Sequence, residues 1–110
     1  MPQKTSYPKN KIQVLLLEGL HPLAVARFRE EGFAVRAEKG AMTEADLITA
    51  MRDVHLLGIR SKTQVTSRVL KAAKRLLAVG AFCIGTNQID LAAAKIKGVP
   101  VFNAPYSNTR

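Results

Sequence analysis

The sequence predicts an α/β fold built on a five-stranded parallel sheet in the order 2-1-3-4-5, with helices on both faces. Three observations predict it. Five short apolar runs alternate strictly with four segments of helical character, and that alternation builds a parallel sheet through right-handed crossovers. Two of the runs, residues 12–17 (IQVLLL) and 54–59 (VHLLGI), are almost continuously apolar, as strands buried on both faces must be. The chain has 110 residues, of which 47% are hydrophobic and 23% charged. That suffices for one domain with a real core and excludes wholesale disorder.

Each element has its own signal. Residues 1–11 hold Pro2, Pro8 and three lysines without a periodic apolar pattern, and read as a mobile leader to a domain over 12–110. Strand one is 12–17. Pro22 suits the first turn of a helix that runs to about Glu31, with Gly32 as its stop. Residues 33–37 (FAVRA) form the second strand, weaker because it alternates and carries Arg36. Thr43 and Asp46 have capping-box spacing and open a helix to about Arg52. The third strand is 54–59. Thr66 caps a helix with Val69, Leu70 and Ala73 on its apolar side and Arg68, Lys71 and Arg75 on another. Residues 76–81 (LLAVGA) are strand four. Asp90 caps a helix over 91–97 that Gly98 ends, and 99–102 (VPVF) is the fifth strand.

Strand order follows from burial. The first and third strands are the most apolar and so the most central, whereas Arg36 in the second and Pro100 in the fifth suit edges. The order is then the flavodoxin-like 2-1-3-4-5.

Charge is the abnormal figure, at net +9. It is uneven: residues 1–59 hold 8 basic and 7 acidic side chains, whereas 60–110 hold 9 basic ones and only Asp90. An anionic partner accounts for such a field, and so do acids in another part of a larger protein. No apolar run approaches the roughly 20 residues of a membrane span. The lone Cys83 makes neither an internal disulfide nor a cysteine-based metal site, so no metal is expected and a reducing, cytoplasmic setting is the default.

Ligands of open parallel sheets bind at the carboxyl ends of the strands, where the order reverses. That rim reads as Glu18, Gly19, Leu20 and His21 after strand one, and Arg60, Ser61, Lys62 and Thr63 after strand three. Residues 82–88 (FCIGTNQ) follow strand four, and 103–110 (NAPYSNTR) follow strand five. Arg60, Ser61 and Lys62 fall at the reversal. A planar fork, a hydroxyl and an ammonium suit a phosphate or carboxylate. An ordinary solvated loop is the competing reading, and position at the rim brings the two level.

Other residues read more plainly. His21 suits capping, His55 a satisfied core histidine, and Cys83 an inert thiol without an adjacent base. Asn87, Asn103 and Asn108 are turn formers. Arg68, Lys71, Lys74 and Arg75 read as a solvated helix face; a nucleic-acid stripe is the minority reading, since no aromatic residue is interleaved. There is no Gly-x-Gly-x-x-Gly, no phosphate loop and no acid/base constellation.

Residues 58–63 (GIRSKT), 79–91 (VGAFCIGTNQIDL) and 98–110 (GVPVFNAPYSNTR), with the opening KIQVLLLEGLH, carry a resemblance. The chain resembles the N-terminal part of the D-2-hydroxyacid dehydrogenases, in the branch acting on 3-phosphoglycerate. The resemblance implies a substrate-binding lid closed by returning C-terminal helices, facing a second domain that binds NAD and carries the arginine, glutamate and histidine of the catalytic set. It implies that Arg60, Ser61 and Lys62 contact the phosphorylated hydroxyacid, and that Cys83, Ile84 and Gly85 lie against substrate and nicotinamide. Asn108 would line the cleft near the hinge. Lys62 stands where the family often has arginine. The resemblance also implies a homo-oligomer for the full-length enzyme. It stops at Arg110, short of the cofactor domain, so no catalytic residue is expected in the chain and the 110 residues alone should be inactive. A freestanding anion-binding module and a basic nucleic-acid-binding fragment are the other readings.

Overall fold

A computed structural model describes residues 11–20, 22–83 and 85–103. Its elements run β1 (Gln13–Leu16), α1 (Pro22–Glu30), β2 (Ala34–Ala37), α2 (Glu44–Ala50), β3 (Leu56–Ile59), α3 (Ser67–Ala72), β4 (Ala78–Ala81), α4 (Leu91–Lys97) and β5 (Val101–Asn103). The strands form one sheet in the order β2-β1-β3-β4-β5, and every pair is parallel. The expected fold class and strand order are both present. The leader assigned to 1–11 lies, apart from Lys11, outside the described residues.

The helix ends follow the predicted chemistry. Thr43 accepts a hydrogen bond from the Asp46 N–H, Thr66 from that of Val69 and Asp90 from that of Ala93. Each satisfies one of the free N–H groups of a first turn, worth about 1 kcal/mol. Gly98 ends α4 in the left-handed conformation (φ 81°), where a Cβ would be strained. Several boundaries differ from expectation, β4 and β5 among them, which begin at Ala78 and Val101. A 3-10 turn, Met51–Asp53, follows α2 and buries Met51, and α3 ends at Ala72, so Lys74 and Arg75 do not continue its charged face. Pro100 stays out of β5 but its carbonyl still accepts the Val79 N–H.

Alternation along the strands sends side chains to two separate cores. Leu15, Leu17, Leu57, Ile59, Val79 and Ala81 point to one face, where they meet Leu47 of α2, Val69 and Leu70 of α3 and Ala94 of α4. Val14 and Leu16 point to the other, against Val25 and Phe28 of α1. The second cover is thin. No residue of α1 is fully buried, and the helix leaves an apolar groove of about 280 Å³ whose walls include Leu56, Gly58, Gly80, Phe82 and Phe102. The Phe82 ring folds back over this face. A Cβ on Gly80 would lie 3.1 Å from it, and one on Gly58 would lie 2.7 Å from Leu16, so the two glycines leave room for the Phe82 and Leu16 side chains against the sheet.

His55 is the core histidine that its apolar strand predicts: it is buried, its Nδ1 accepts the Gln13 N–H, and its own N–H donates to the Gln13 carbonyl. Ring and backbone together close the start of the β1–β3 pair.

Burial grades the cost of truncation. Leu57 is 2% exposed and Leu77 is 57% exposed. Leu57→Ala is therefore expected to cost about 2–5 kcal/mol of unfolding free energy, and Leu77→Ala only about 0.5 kcal/mol. Urea unfolding of the two variants measures this, and equal losses would contradict the two-core arrangement.

Candidate functional site

The strands end along one rim. β1 leads into Glu18 and Gly19, β3 into Arg60–Thr63, β4 into the segment 82–88, and β5 ends at Asn103. Because β1 lies between β2 and β3, the chain order reverses between β1 and β3, and the loops after these two strands diverge to opposite faces. Such a divergence opens a crevice.

Glu18 closes the floor of that crevice. Its Oε2 accepts the N–H groups of Arg60 (2.9 Å) and Thr63 (3.0 Å), and its Oε1 accepts that of Lys62 (2.9 Å). Backbone donors converging in this way form a nest for an anion. Glu18 reaches it from a left-handed backbone (φ 65°), followed by Gly19 at φ 62°. That conformation is costly for a residue with a Cβ. It is held by the Glu18 N–H on the Gly40 carbonyl and the Gly19 N–H on the Glu38 carbonyl, both at 3.0 Å.

Partial burial pushes the Glu18 carboxyl up. The N–H groups of Lys62 and Arg60, the Thr63 hydroxyl and the Thr63 N–H together outweigh it, and the net direction is below the ordinary 4.5. The Thr63 hydroxyl adds to this lowering although its oxygen is buried without a well-formed hydrogen bond.

The loops after β3 and β4 are tied to each other. Buried Gln88 donates through Nε2 to the Arg60 carbonyl (2.6 Å) and to Cys83 Sγ (3.3 Å). Val65 and Ile89 form a parallel bridge, with Val65 N–H on the Gln88 carbonyl and Asp90 N–H on the Val65 carbonyl. The Cys83 thiol donates to the Gly85 carbonyl (2.9 Å), and Asn103 Nδ2 donates to the carbonyls of Ala81 (3.2 Å) and Cys83 (2.6 Å). Arg60 and Cys83, 23 positions apart in the sequence, are thereby joined through one glutamine amide.

Of the residues singled out from the sequence, Arg60, Ser61 and Lys62 are exposed at the rim, and Cys83 and Gly85 belong to the adjoining loop. Ile84, Asn108 and His21 lie outside the described residues. Arg68, Lys71, Lys74 and Arg75 are all exposed, with Arg68 3.9 Å from Glu44. Glu18 and Gln88 lie on the rim that the sequence delineates, but neither was assigned a role. The readable signal for Glu18 is an acid followed by glycine at the end of a buried strand; Gln88 has no comparable signal. Among the described residues, no group of three or more His, Cys, Asp or Glu is placed to hold a metal ion, and no helix is long and apolar enough to cross a membrane.

A parallel sheet in the order β2-β1-β3-β4-β5 with helices on both faces is an α/β domain of flavodoxin-like topology. Residues 14–110 match the catalytic-domain model of the D-isomer specific 2-hydroxyacid dehydrogenases, and the chain belongs to that family. Over 110 residues it is 52% identical to the D-3-phosphoglycerate dehydrogenase of Dictyostelium discoideum, covering all of this chain and 27% of that protein. Against the enzyme of the same name from Escherichia coli (strain K12) it is 49% identical over 108 residues, which are 97% of this chain and 26% of the other. The chain thus spans about a quarter of the length of these curated relatives. The NAD+-bound 3-phosphoglycerate dehydrogenase of Entamoeba histolytica shares the fold, with a TM-score of 0.74 at 19% identity over 84% of this chain and 32% of that one.

The lowered Glu18 carboxyl gives stability a definite sign with pH. A group whose pKa falls on folding contributes stability above its unfolded value and loses it as the pH drops through the folded value. The gap in thermal unfolding midpoint between the native chain and Glu18→Gln is expected to be open near neutral pH and to close well below 4.5. A gap that widens towards acid would contradict the geometry.

Proposed function

We propose that this chain is the substrate-binding part of an NAD-dependent D-3-phosphoglycerate dehydrogenase, and that Arg60, Ser61 and Lys62 hold the anionic groups of 3-phosphoglycerate. One observation carries the reading. The loop after β3 lies at the reversal of strand order with both cations exposed, in a chain about half identical along its length to enzymes of that name. The reaction is oxidation of 3-phospho-D-glycerate to 3-phosphooxypyruvate, which feeds serine synthesis in the cytoplasm, carried out by a homo-oligomer.

The residues divide the work by chemistry. The Arg60 guanidinium meets a phosphate or carboxylate as a bidentate fork, the Lys62 ammonium adds a point charge, and the Ser61 hydroxyl supplies a neutral donor. In this reading Cys83, Ile84 and Gly85 are assigned to contact with substrate and nicotinamide, and Asn108 to contact with the substrate. NAD, when bound, supplies the acceptor for the hydride. Its pyrophosphate needs a glycine-rich strand-to-helix turn, and no Gly-x-Gly-x-x-Gly occurs in these 110 residues. The part played here is therefore to bind and orient the hydroxyacid.

The reading is tested by titrating the 110-residue chain with 3-phosphoglycerate at fixed ionic strength, followed by backbone amide NMR. Arg60→Ala is expected to weaken binding by about tenfold or more, the cost of one charge-assisted hydrogen bond. Lys62→Ala should lose less, because its charge sits on a flexible, well-hydrated stem. Arg68→Ala should lose little. If Arg60→Ala binds as the native chain does, this loop is not the substrate site.

A further inference from the structure

We propose that Glu18 is a positioning residue for the substrate loop: its carboxylate, seated on the N–H groups of Arg60, Lys62 and Thr63, fixes that loop's backbone in the conformation that presents the two cations to an anionic ligand. The inference rests on the reading of Arg60 and Lys62 given above.

An acid is an unexpected neighbour for an anion site. At a rim with exposed cations, a carboxylate ordinarily pairs with a guanidinium or ammonium and competes with the ligand for it. Glu18 is oriented otherwise. The three bonds recorded for its two oxygens come from the backbone, at 2.9, 2.9 and 3.0 Å, and the donors lie 42 to 45 positions away in the sequence. The negative charge is directed at the main-chain N–H dipoles of Arg60, Lys62 and Thr63, with the Thr63 hydroxyl beside them.

Three fixed N–H groups among four consecutive residues leave the loop little backbone freedom. The Gln88 amide holds the Arg60 carbonyl from the far side (2.6 Å), so the Arg60 peptide units on both sides are anchored. A loop ordered before the ligand arrives does not pay its ordering entropy on binding. The left-handed backbone of Glu18 (φ 65°) fits the same reading, since a strained non-glycine conformation persists where the surroundings hold it for a purpose. Glycine at this position would relieve the strain and lose the carboxylate.

The proposal makes a prediction opposite in sign to plain electrostatics. Removing a negative charge beside two cations should tighten anion binding, whereas losing the positioning carboxylate should weaken it. The experiment titrates 3-phosphoglycerate into the 110-residue chain at constant ionic strength for the native protein, Glu18→Gln, Glu18→Asp and Arg60→Ala, with hydrogen exchange read at the amides of residues 60, 62 and 63. Glu18→Gln is expected to weaken binding roughly three- to tenfold and to speed exchange at those amides. Glu18→Asp keeps the charge but withdraws it by one methylene, and is expected to weaken binding as well. Tighter or unchanged binding in Glu18→Gln, with Arg60→Ala weakened, overturns the positioning role and leaves the substrate loop standing. If Arg60→Ala binds normally, the substrate reading fails and the positioning role falls with it. Should Glu18→Gln fail to fold, Glu18→Asp and exchange in the native chain decide the matter. Amides at 60, 62 and 63 exchanging as fast as exposed loop amides would overturn the proposal.

Discussion

The parallel pairing of β1 with β3 is the constraint on which the rest of the molecule depends. Val14, Leu15 and Leu16 stand opposite Leu56, Leu57 and Gly58, and both faces of this pair are removed from water, save for the groove beside Leu56. Burying a side chain of this size is worth about 1.5–3 kcal/mol, so these few residues carry a large share of the driving force. Because β1 pairs with β2 on one side and β3 on the other, the chain must cross back over β1 after β2 to reach β3. The crevice is a geometric remainder of that choice. Glu18 and Arg60 meet at it, 2.9 Å apart between carboxylate and backbone N–H, because each is the first polar residue beyond its buried strand.

Loop order around the crevice comes from side-chain amides and carboxylates rather than from regular structure. Glu18, Gln88 and Asn103 each bond to main-chain groups of a different segment. Hydrogen bonds that join loops across the sheet restrict more backbone freedom than bonds within one loop, because each removes the relative motion of two segments. Exposed pairs add little by comparison. Arg36 and Glu38, 2.8 Å apart with side chains 60% and 42% exposed, contribute on the order of 0–1 kcal/mol.

Much of this was legible in the sequence because local rules and global needs agree. Thr43, Thr66, Asp90 and Gly98 are helix punctuation that works the same way in any fold, and the apolar runs name their own central strands. Arg36 and Pro100 likewise mark the two edges. The limits of α3 and β4 were not legible: Arg75 keeps the helical spacing of Arg68 and Lys71, Leu76 and Leu77 extend the apolar run of strand four, and only packing decides that the chain turns between Ala72 and Ala78. The anion-suited residues Arg60 and Lys62 were readable from charge and position. Glu18 as a partner of their backbone was not, since a carboxylate bonded to N–H groups more than 40 residues away leaves no periodicity or spacing to find. Gln88 is hidden for the same reason, as its amide gains meaning only once two loops are side by side.

The Asn103 side chain has a consequence for how this molecule meets its neighbours. By donating to the carbonyls of Ala81 and Cys83, its amide ties β5 to the end of β4 and the segment that follows it. Pro100 removes a donor immediately before that strand, and the opposite border carries the Arg36–Glu38 pair. Among the described residues, neither border offers the long, flat, uncharged row of free backbone groups on which another polypeptide could be laid down as an added strand.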